Sequence, residues 1–117
     1  MRALWNVLEE LREEQHVPMV ALLEDLRQQE WATTLCYDLS MLRLWISRPG
    51  AEEVEVMVVY GDGRSGGRPV GPYLDAFETT FFGGIDAGDV RTGSRESTID
   101  TLRKWLESAG PIHSPPG

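Results

Sequence analysis

The residues most suggestive of chemistry are the glycines of YGDGRSGGRPVGPY, residues 60–73. The G-x-G-x-x-G spacing of a dinucleotide-binding loop, directly after an apolar run typical of a strand, is met by Gly61, Gly63 and Gly66. That fingerprint needs a helix to begin at the glycines, because the helix N-terminus binds the pyrophosphate. Pro69 and Pro72 follow too closely for such a helix. The sequence therefore predicts a flexible connection between strands and no cofactor.

Two other reactive motifs are incomplete in the same region. A Walker loop needs Gly-Lys-Ser/Thr, and the single lysine, Lys104, lies far along the chain. GRSGG resembles the sequence around the nucleophile of chymotrypsin-like proteases, but Arg64 replaces its aspartate and the chain is too short for two barrels. Ser65 is therefore interpreted as a loop serine. His16 and His113 have no evident carboxylate to orient them, so histidine acid–base catalysis is not expected.

Cys36 is the only cysteine, which excludes an internal disulfide, and two histidines are too few for a zinc site of ordinary Cys/His spacing. Its neighbours in TTLCYD predict a buried, inert thiol. No metal site and no enzymatic activity are predicted. An enzyme built on carboxylates alone stays an alternative, and it would require two acidic side chains that converge in a pocket.

The charge balance points to a protein partner. Nineteen acidic residues against eleven basic ones give a net charge of −8. Direct binding of nucleic acid is not expected, because phosphates require a concentrated basic surface. A basic protein as partner, or mimicry of DNA, stays open. No apolar run reaches the roughly 20 residues of a membrane span, and the charged N-terminus is unlike a signal peptide, so a cytoplasmic location is expected.

The first partner-binding candidates are four carboxylates near the N-terminus: Glu9, Glu10, Glu13 and Glu14. At i, i+4 spacing on one helix their like charges repel by a few tenths of a kcal/mol, unless something basic lies opposite. Metal binding there is a weak alternative, since no histidine completes a site. A merely solvated helix face is the other interpretation of the same residues.

Trp45 and Arg43 are the second partner-binding candidates. Alternation along a predicted strand places them opposite Leu44 and Ile46, on the face away from the core. Tryptophan and arginine are enriched among binding hot spots, so this pair is a candidate interface anchor. The alternative is that a terminal helix covers that face and makes Trp45 part of the core.

Two amphipathic helices are predicted to position the acidic residues. Apolar residues at i, i+3, i+4 and i+7 predict a helix from about residue 2 to 14, buried through Leu4, Val7, Leu8 and Leu11. Proline is favoured at the first helical position, so a second helix is predicted over residues 18–30. Its inward side chains are Val20, Leu22, Leu23 and Leu26.

Alternating apolar residues predict strands in the middle of the chain. Two strands are expected over residues 31–47, with a turn at residues 38–40 where the parity changes. A helical stripe fits the same stretch and stays open; its members are Trp31, Leu35, Leu42 and Ile46. Pro49 and Gly50 predict a turn. The run EVEVMVVY predicts the clearest strand, with one face formed by Val54, Val56, Val58 and Tyr60.

The C-terminal half combines strand and helix signals. PYLDAFETTFFGG is interpreted as a strand over residues 77–82, with a short helix from Pro72 as the alternative. IDAGDVRTG is expected to be polar loop with one short edge strand. A last helix is predicted to begin with an S-x-x-D capping pattern at Ser97 and Asp100 and to stop at Gly110-Pro111. Its inward residues are Ile99, Leu102 and Leu106.

These elements predict one α+β domain over residues 1–117, with a frayed tail at residues 110–117. An antiparallel β-meander of three to five strands carries two N-terminal helices and one C-terminal helix on one side. The strand and the last helix are expected to share one core through Val54, Val56, Val58, Leu102 and Leu106.

Residues 54–111 resemble small immunity proteins of bacterial polymorphic-toxin systems. The similarity lies in the order of EVMVVYGDG, FETTFFGG and STIDTLRKWLESAG: a strand, a glycine-rich connection, a strand, and a helix that ends near Gly-Pro. It implies an acidic protein that binds a cognate toxin and blocks its active site, and it assigns no functional residue. A bacterial or phage source is expected. A secretion-chaperone-like homodimer and an anti-defence protein that mimics DNA are the alternatives.

Overall fold

The computed structural model describes residues 2–14, 17–61, 76–82 and 87–110. In these residues the chain forms four helices: α1 (Leu4–Glu14), α2 (Val17–Arg27), α3 (Glu30–Thr33) and α4 (Arg95–Ser108). They accompany five strands: β1 (Cys36–Ser40), β2 (Arg43–Ser47), β3 (Val56–Tyr60), β4 (Ala76–Phe81) and β5 (Val90–Ser94). The predicted α+β meander with two N-terminal helices and a C-terminal helix is confirmed.

The strands form one antiparallel sheet in the order β1-β2-β3-β4-β5, so β3 is the central strand. The outer edge of β1 is extended by a single residue at the N-terminus. Arg2 exchanges two backbone hydrogen bonds with Tyr37, at 2.6 and 2.7 Å. This bridge brings the start of α1 against the sheet and blocks part of that edge.

The core lies between the helices and one face of the sheet, here called the inner face. Its sheet side chains are Tyr37, Leu39, Leu44, Ile46, Val56, Val58, Tyr60, Phe77 and Phe81. The helices contribute Leu4, Val7, Leu8, Leu11, Met19, Leu22, Leu23, Leu26, Ala32, Leu102 and Trp105. Each large apolar side chain stabilises the fold by about 1.5 to 3 kcal/mol when it is removed from water. The opposite side of the sheet is the outer face.

The apolar stripes predicted for the first two helices are confirmed with small shifts. All four stripe residues of α1 are buried, and the helix begins at Leu4 rather than at residue 2. In α2 the buried set is Met19, Leu22, Leu23 and Leu26, while Val20 is half-buried at the margin of the core. The helix ends at Arg27, three residues before the predicted end.

The prediction of a strand from residue 31 was wrong for its first five residues. Trp31 to Thr33 belong to the short helix α3, and β1 begins only at Cys36. The predicted turn at residues 38–40 was also wrong, because those residues pair with β2. The chain reverses at Met41 and Leu42, which both have positive φ, 53° and 60°.

The turn predicted at Pro49 and Gly50 is confirmed. Gly50 has a φ of 87°, and the amide of Ala51 donates to the carbonyl of Arg48 at 3.1 Å. Strand β3 buries Val56, Val58 and Tyr60 as expected. Val54 precedes the strand and is only half-buried, so its assignment to the inner-face core was wrong.

The C-terminal elements follow the prediction except at the helix start. The strand alternative for residues 77–82 is confirmed by β4, and β5 is the expected edge strand. Helix α4 is capped by Ser94, whose hydroxyl accepts from the amide of Ser97 at 3.1 Å. The assignment of Ser97 as the cap was wrong, because Arg95 and Glu96 already continue the helix. Leu102 is buried, with Ile99 and Leu106 packed at the margin of the core.

Some predictions fall outside the described residues. These are the phosphate-binding test of the loop beyond Gly61, the frayed tail beyond Gly110, and the positions of His16 and His113. Among the helices that the structure describes, none is long and apolar enough to cross a membrane.

Candidate functional site

The solvent side of α1 combines an aromatic residue with carboxylates. Trp5, Glu9 and Glu13 follow one another at i, i+4 and i+8, which places them on one face of the helix. Trp5 is 52% exposed, and both glutamates are exposed. Neither glutamate forms an ion pair with the described part of the chain. These three residues are called the acidic helix surface below.

The other predicted glutamates of α1 differ in their surroundings. Glu10 accepts from Arg2 Nη1 at 2.5 Å, and Arg2 Nη2 also donates to Asp38 at 3.1 Å. Glu10 therefore helps to hold the N-terminal bridge against β1. Glu14 is exposed one turn further along that flank. On the opposite flank Arg12 pairs with Glu24 of α2 at 2.8 Å. The four carboxylates thus do not act as one stripe.

Sequence reasoning missed Trp5. The helical pattern could have revealed it. Each residue turns the helix by about 100°, so Trp5 is rotated away from Leu4 and lies outside the apolar stripe. Tryptophan carries a large apolar surface, and its exposure beside unpaired carboxylates is the feature of α1 that most suggests an interface.

The outer face of the sheet carries the second candidate group. Trp45 lies on this face, as predicted, and is half-buried. Its ring stacks on Phe82, with ring centroids 6.1 Å apart and planes inclined by 22°. Phe82 is 48% exposed. The alternative in which a terminal helix makes Trp45 part of the core was wrong, because α4 packs against the inner face with Leu102 and Trp105.

Arg43 and Trp45 lie two residues apart on the outer face, so the structure brings these two candidates together. Val59 pairs with Arg43 on one side and with Glu78 on the other, which places all three side chains in one row across the sheet. Val59 is 5% exposed although it lies outside the inner-face core. Arg43 and Glu78 form no ion pair or side-chain hydrogen bond with the described residues.

A shallow polar groove separates the end of α2 from the start of α4. Its lining includes Asp25, Glu96 and Asp100, which are the carboxylates that an enzyme of the predicted alternative type would use. Asp25 accepts from Arg95 at 2.7 Å. Hydrogen bonds from Arg103 and Lys104 lower the pKa of Asp100. The lowered pKa of Asp100 is the opposite of what a general acid requires, and Asp25 is held in its ion pair with Arg95.

The remaining chemical candidates have structural surroundings. Burial raises the pKa of Tyr37, whose hydroxyl donates to the carbonyl of Ala32 at 2.7 Å. Cys36 is half-buried, so the expectation of a buried thiol was wrong. Over residues 2–14, 17–61, 76–82 and 87–110, no three His, Cys, Asp or Glu side chains are grouped to hold a metal ion.

Comparison of the chain with protein-family models, with curated proteins and with solved structures gave no match. The similarity of residues 54–111 to immunity proteins therefore stays a prediction. The acidic helix surface and the outer face of the sheet are the two candidate sites.

Proposed function

We propose that this is a non-enzymatic, acidic protein-binding module of the inhibitor or immunity type, which blocks a partner protein with a basic surface. The observation that carries the proposal is Trp5, 52% exposed on the same helix face as Glu9 and Glu13. The cytoplasm is the proposed location, and neither nucleic acid nor a membrane is a proposed ligand.

Each component of the acidic helix surface has a physical role in this proposal. Trp5 supplies apolar area that a partner can cover, which slows dissociation. The two glutamates repel each other at i, i+4, and a cation from the partner relieves that repulsion. The net charge of −8 attracts a basic protein over a distance set by the ionic strength and raises the association rate.

The test is the kinetics of binding to the partner, obtained by affinity capture and then purified. Replacement of Glu9 and Glu13 by glutamine should slow association several-fold at low salt and leave dissociation nearly unchanged. The difference should shrink at high salt, because the Debye length falls from about 10 Å at 0.1 M to about 3 Å at 1 M. Trp5→Ala should instead accelerate dissociation.

A matched control replaces Glu52 and Glu53 by glutamine. Both are exposed in the connection between β2 and β3, so the net charge changes equally without touching α1. Glu10 is kept in all variants because it holds Arg2. Equal association rates for the two double variants, together with an unchanged dissociation rate for Trp5→Ala, would remove α1 from the binding site.

A secretion-chaperone-like dimer is the second candidate function. The observation that favours it is the outer face of the sheet, where Trp45 stacks on a half-exposed Phe82 and none of the described helices packs. A stable homodimer together with an unaltered binding rate in the α1 variants would favour this candidate over the first.

A further inference from the structure

The outer face presents a row of three apolar side chains and one threonine across four strands. Trp45, Met57, Thr80 and Val90 are successive cross-strand neighbours on β2, β3, β4 and β5. Val90 is 55% exposed, and Phe82 extends the row beside Trp45. Antiparallel sheets with one solvated face normally alternate between apolar inward and polar outward residues. Three of the four side chains in this outward row are apolar, and with Phe82 they mark an interaction surface.

The neighbouring row contains two opposite charges at equal distances from the centre of the sheet. Arg43 on β2 and Glu78 on β4 flank Val59 on the central strand. Strands lie about 4.8 Å apart, so the two residues are separated by about 10 Å. Neither has an ion-pair partner in the described part of the chain. Across β2, β3 and β4 the row therefore consists of a positive, an apolar and a negative side chain.

Such a row is complementary to itself after a half-turn. A two-fold axis that lies between two facing sheets and runs along β3 exchanges the positions of β2 and β4. Arg43 of each copy then faces Glu78 of the other, and Val59 faces Val59. An isologous interface requires this reciprocity, in which residue i contacts j and j contacts i. Binding to an unrelated protein does not require two opposite charges to lie symmetrically about the central strand.

We propose that the outer face of the sheet is the dimerisation surface of this protein, and that its occupant is a second copy of the chain. The two sheets pack face to face in the aligned manner of a β-sandwich, with β3 of each copy along the axis. Met57 lies at the centre beside Val59, which is only 5% exposed in a single copy and therefore gains little further burial. Trp45 with Phe82 covers the end of the row. The dimer is independent of the partner-binding role proposed for α1.

The charge distribution of the chain is compatible with this association. Two copies of net charge −8 repel each other at long range. The glutamates of α1, however, lie in the helix layer on the other side of the sheet, so they point away from the proposed interface. At physiological ionic strength, charges separated by more than about 8 Å are largely screened. The reciprocal pairs are local and are screened much less once covered.

Charge exchange at Arg43 and Glu78 tests the proposal by sedimentation velocity. Wild type is expected to be dimeric. Arg43→Glu and Glu78→Arg should each weaken self-association by more than about tenfold, because like charges then face each other at two places. The double variant R43E/E78R should dimerise again. An equimolar mixture of the two single variants should form a heterodimer, since its two faces carry opposite charges.

Arg27→Glu and Glu96→Arg are matched controls with the same charge changes at exposed positions on the helices α2 and α4, and both should stay dimeric. Circular dichroism and thermal unfolding confirm that each variant folds. A monomeric wild type overturns the proposal. If both single variants stay dimeric, the interface lies elsewhere. If neither the double variant nor the mixture dimerises, the reciprocal pairing of Arg43 and Glu78 is rejected.

Discussion

Gly93 shows how a single residue sets the distance between α4 and the sheet. It lies on the inner face of β5, opposite Phe77. A Cβ atom at this position would lie 2.6 Å from Ser97 Oγ and 3.0 Å from Ser97 Cβ. The Ser97 hydroxyl can rotate away, but its Cβ atom is fixed by the helix backbone, whose amide donates to the capping hydroxyl of Ser94. Glycine therefore lets the first turn of α4 rest directly on the strand.

The first prediction at the residue scale follows from that contact. Gly93→Ala should lower the free energy of unfolding by about 1 to 3 kcal/mol, the usual cost of overpacking. In a Ser97→Gly background the same change should cost little, because the opposing side chain is gone. Urea unfolding of the four proteins forms a double-mutant cycle.

Gly110→Ala is the control, since nothing lies within 4 Å of the added carbon. Its effect on the free energy of unfolding should be close to zero. An equal cost of Gly93→Ala with Ser97 present and absent would show that the strand backbone, and not the helix contact, excludes alanine.

At the scale of elements, the β1–β2 hairpin closes through an unfavourable turn. Ser40 pairs with Arg43, so the loop has two residues, and both Met41 and Leu42 have positive φ. Such turns favour glycine and asparagine, because the left-handed region costs other residues about 1 to 2 kcal/mol. Leu42 packs against the core, which offsets its cost, whereas Met41 is 87% exposed.

Met41→Gly should therefore raise the free energy of unfolding, by roughly 0.5 to 1 kcal/mol. Leu42→Gly should not stabilise, because it also removes a side chain from the core. Chemical denaturation of both variants provides the measurement. Met41→Ala serves as the control, since it keeps a Cβ atom in the left-handed region and should leave stability nearly unchanged. If Met41→Ala stabilises the protein as much as Met41→Gly, the gain comes from loss of the methionine side chain and not from relief of the backbone.

This hairpin also shows why sequence patterns predicted some elements and not others. The stripes of α1 and α2 and the run of β3 are long enough for their periods to be unambiguous. Residues 31–35 fit both periods. Their surroundings include contacts that periodicity does not encode, such as the hydrogen bond from the Tyr37 hydroxyl to the Ala32 carbonyl and the bridge between Arg2 and Tyr37. The turn at Met41 and Leu42 contains none of the usual turn residues, so composition gave no signal for it.

At the scale of the whole molecule, the two proposed surfaces lie on opposite layers. The acidic helix surface belongs to the helix layer, and the outer face belongs to the sheet. Sequence alone predicted Trp45 and Arg43 on the correct face, because alternation along one strand is local. Glu78 and Phe82 could not be added, since their places depend on the register between β3 and β4, which residues 61–75 separate in the chain. Register across such a connection has no local sequence signature.

The two layers are also joined by one arginine. Arg48 follows β2 and donates to both carboxylate oxygens of Glu55, with Nη2 2.7 Å from Oε2. Its Nη1 donates to the carbonyl of Gly110, beyond the end of α4. The side chains of Arg48 and Glu55 are only 18% and 16% exposed. Arg48 therefore links the segment between β2 and β3 to the residues that follow α4. Its ion pair with Glu55 is shielded from solvent.

The last prediction concerns the pH dependence of that connection. Burial alone would raise the pKa of Glu55, but the hydrogen bonds from the side chain and backbone of Arg48 outweigh it and lower the pKa. A carboxylate whose pKa is lower in the folded state stabilises the fold above its unfolded pKa of about 4.3, and this stability is lost as the pH falls through the folded value. Glu55→Gln should cost on the order of 1 to 3 kcal/mol at pH 7. The difference from wild type should shrink below pH 4, as urea unfolding across a pH series will measure. Glu53→Gln, at an exposed position, should follow wild type throughout, and a Glu55→Gln deficit that stays constant into acid would assign the loss to packing instead of charge.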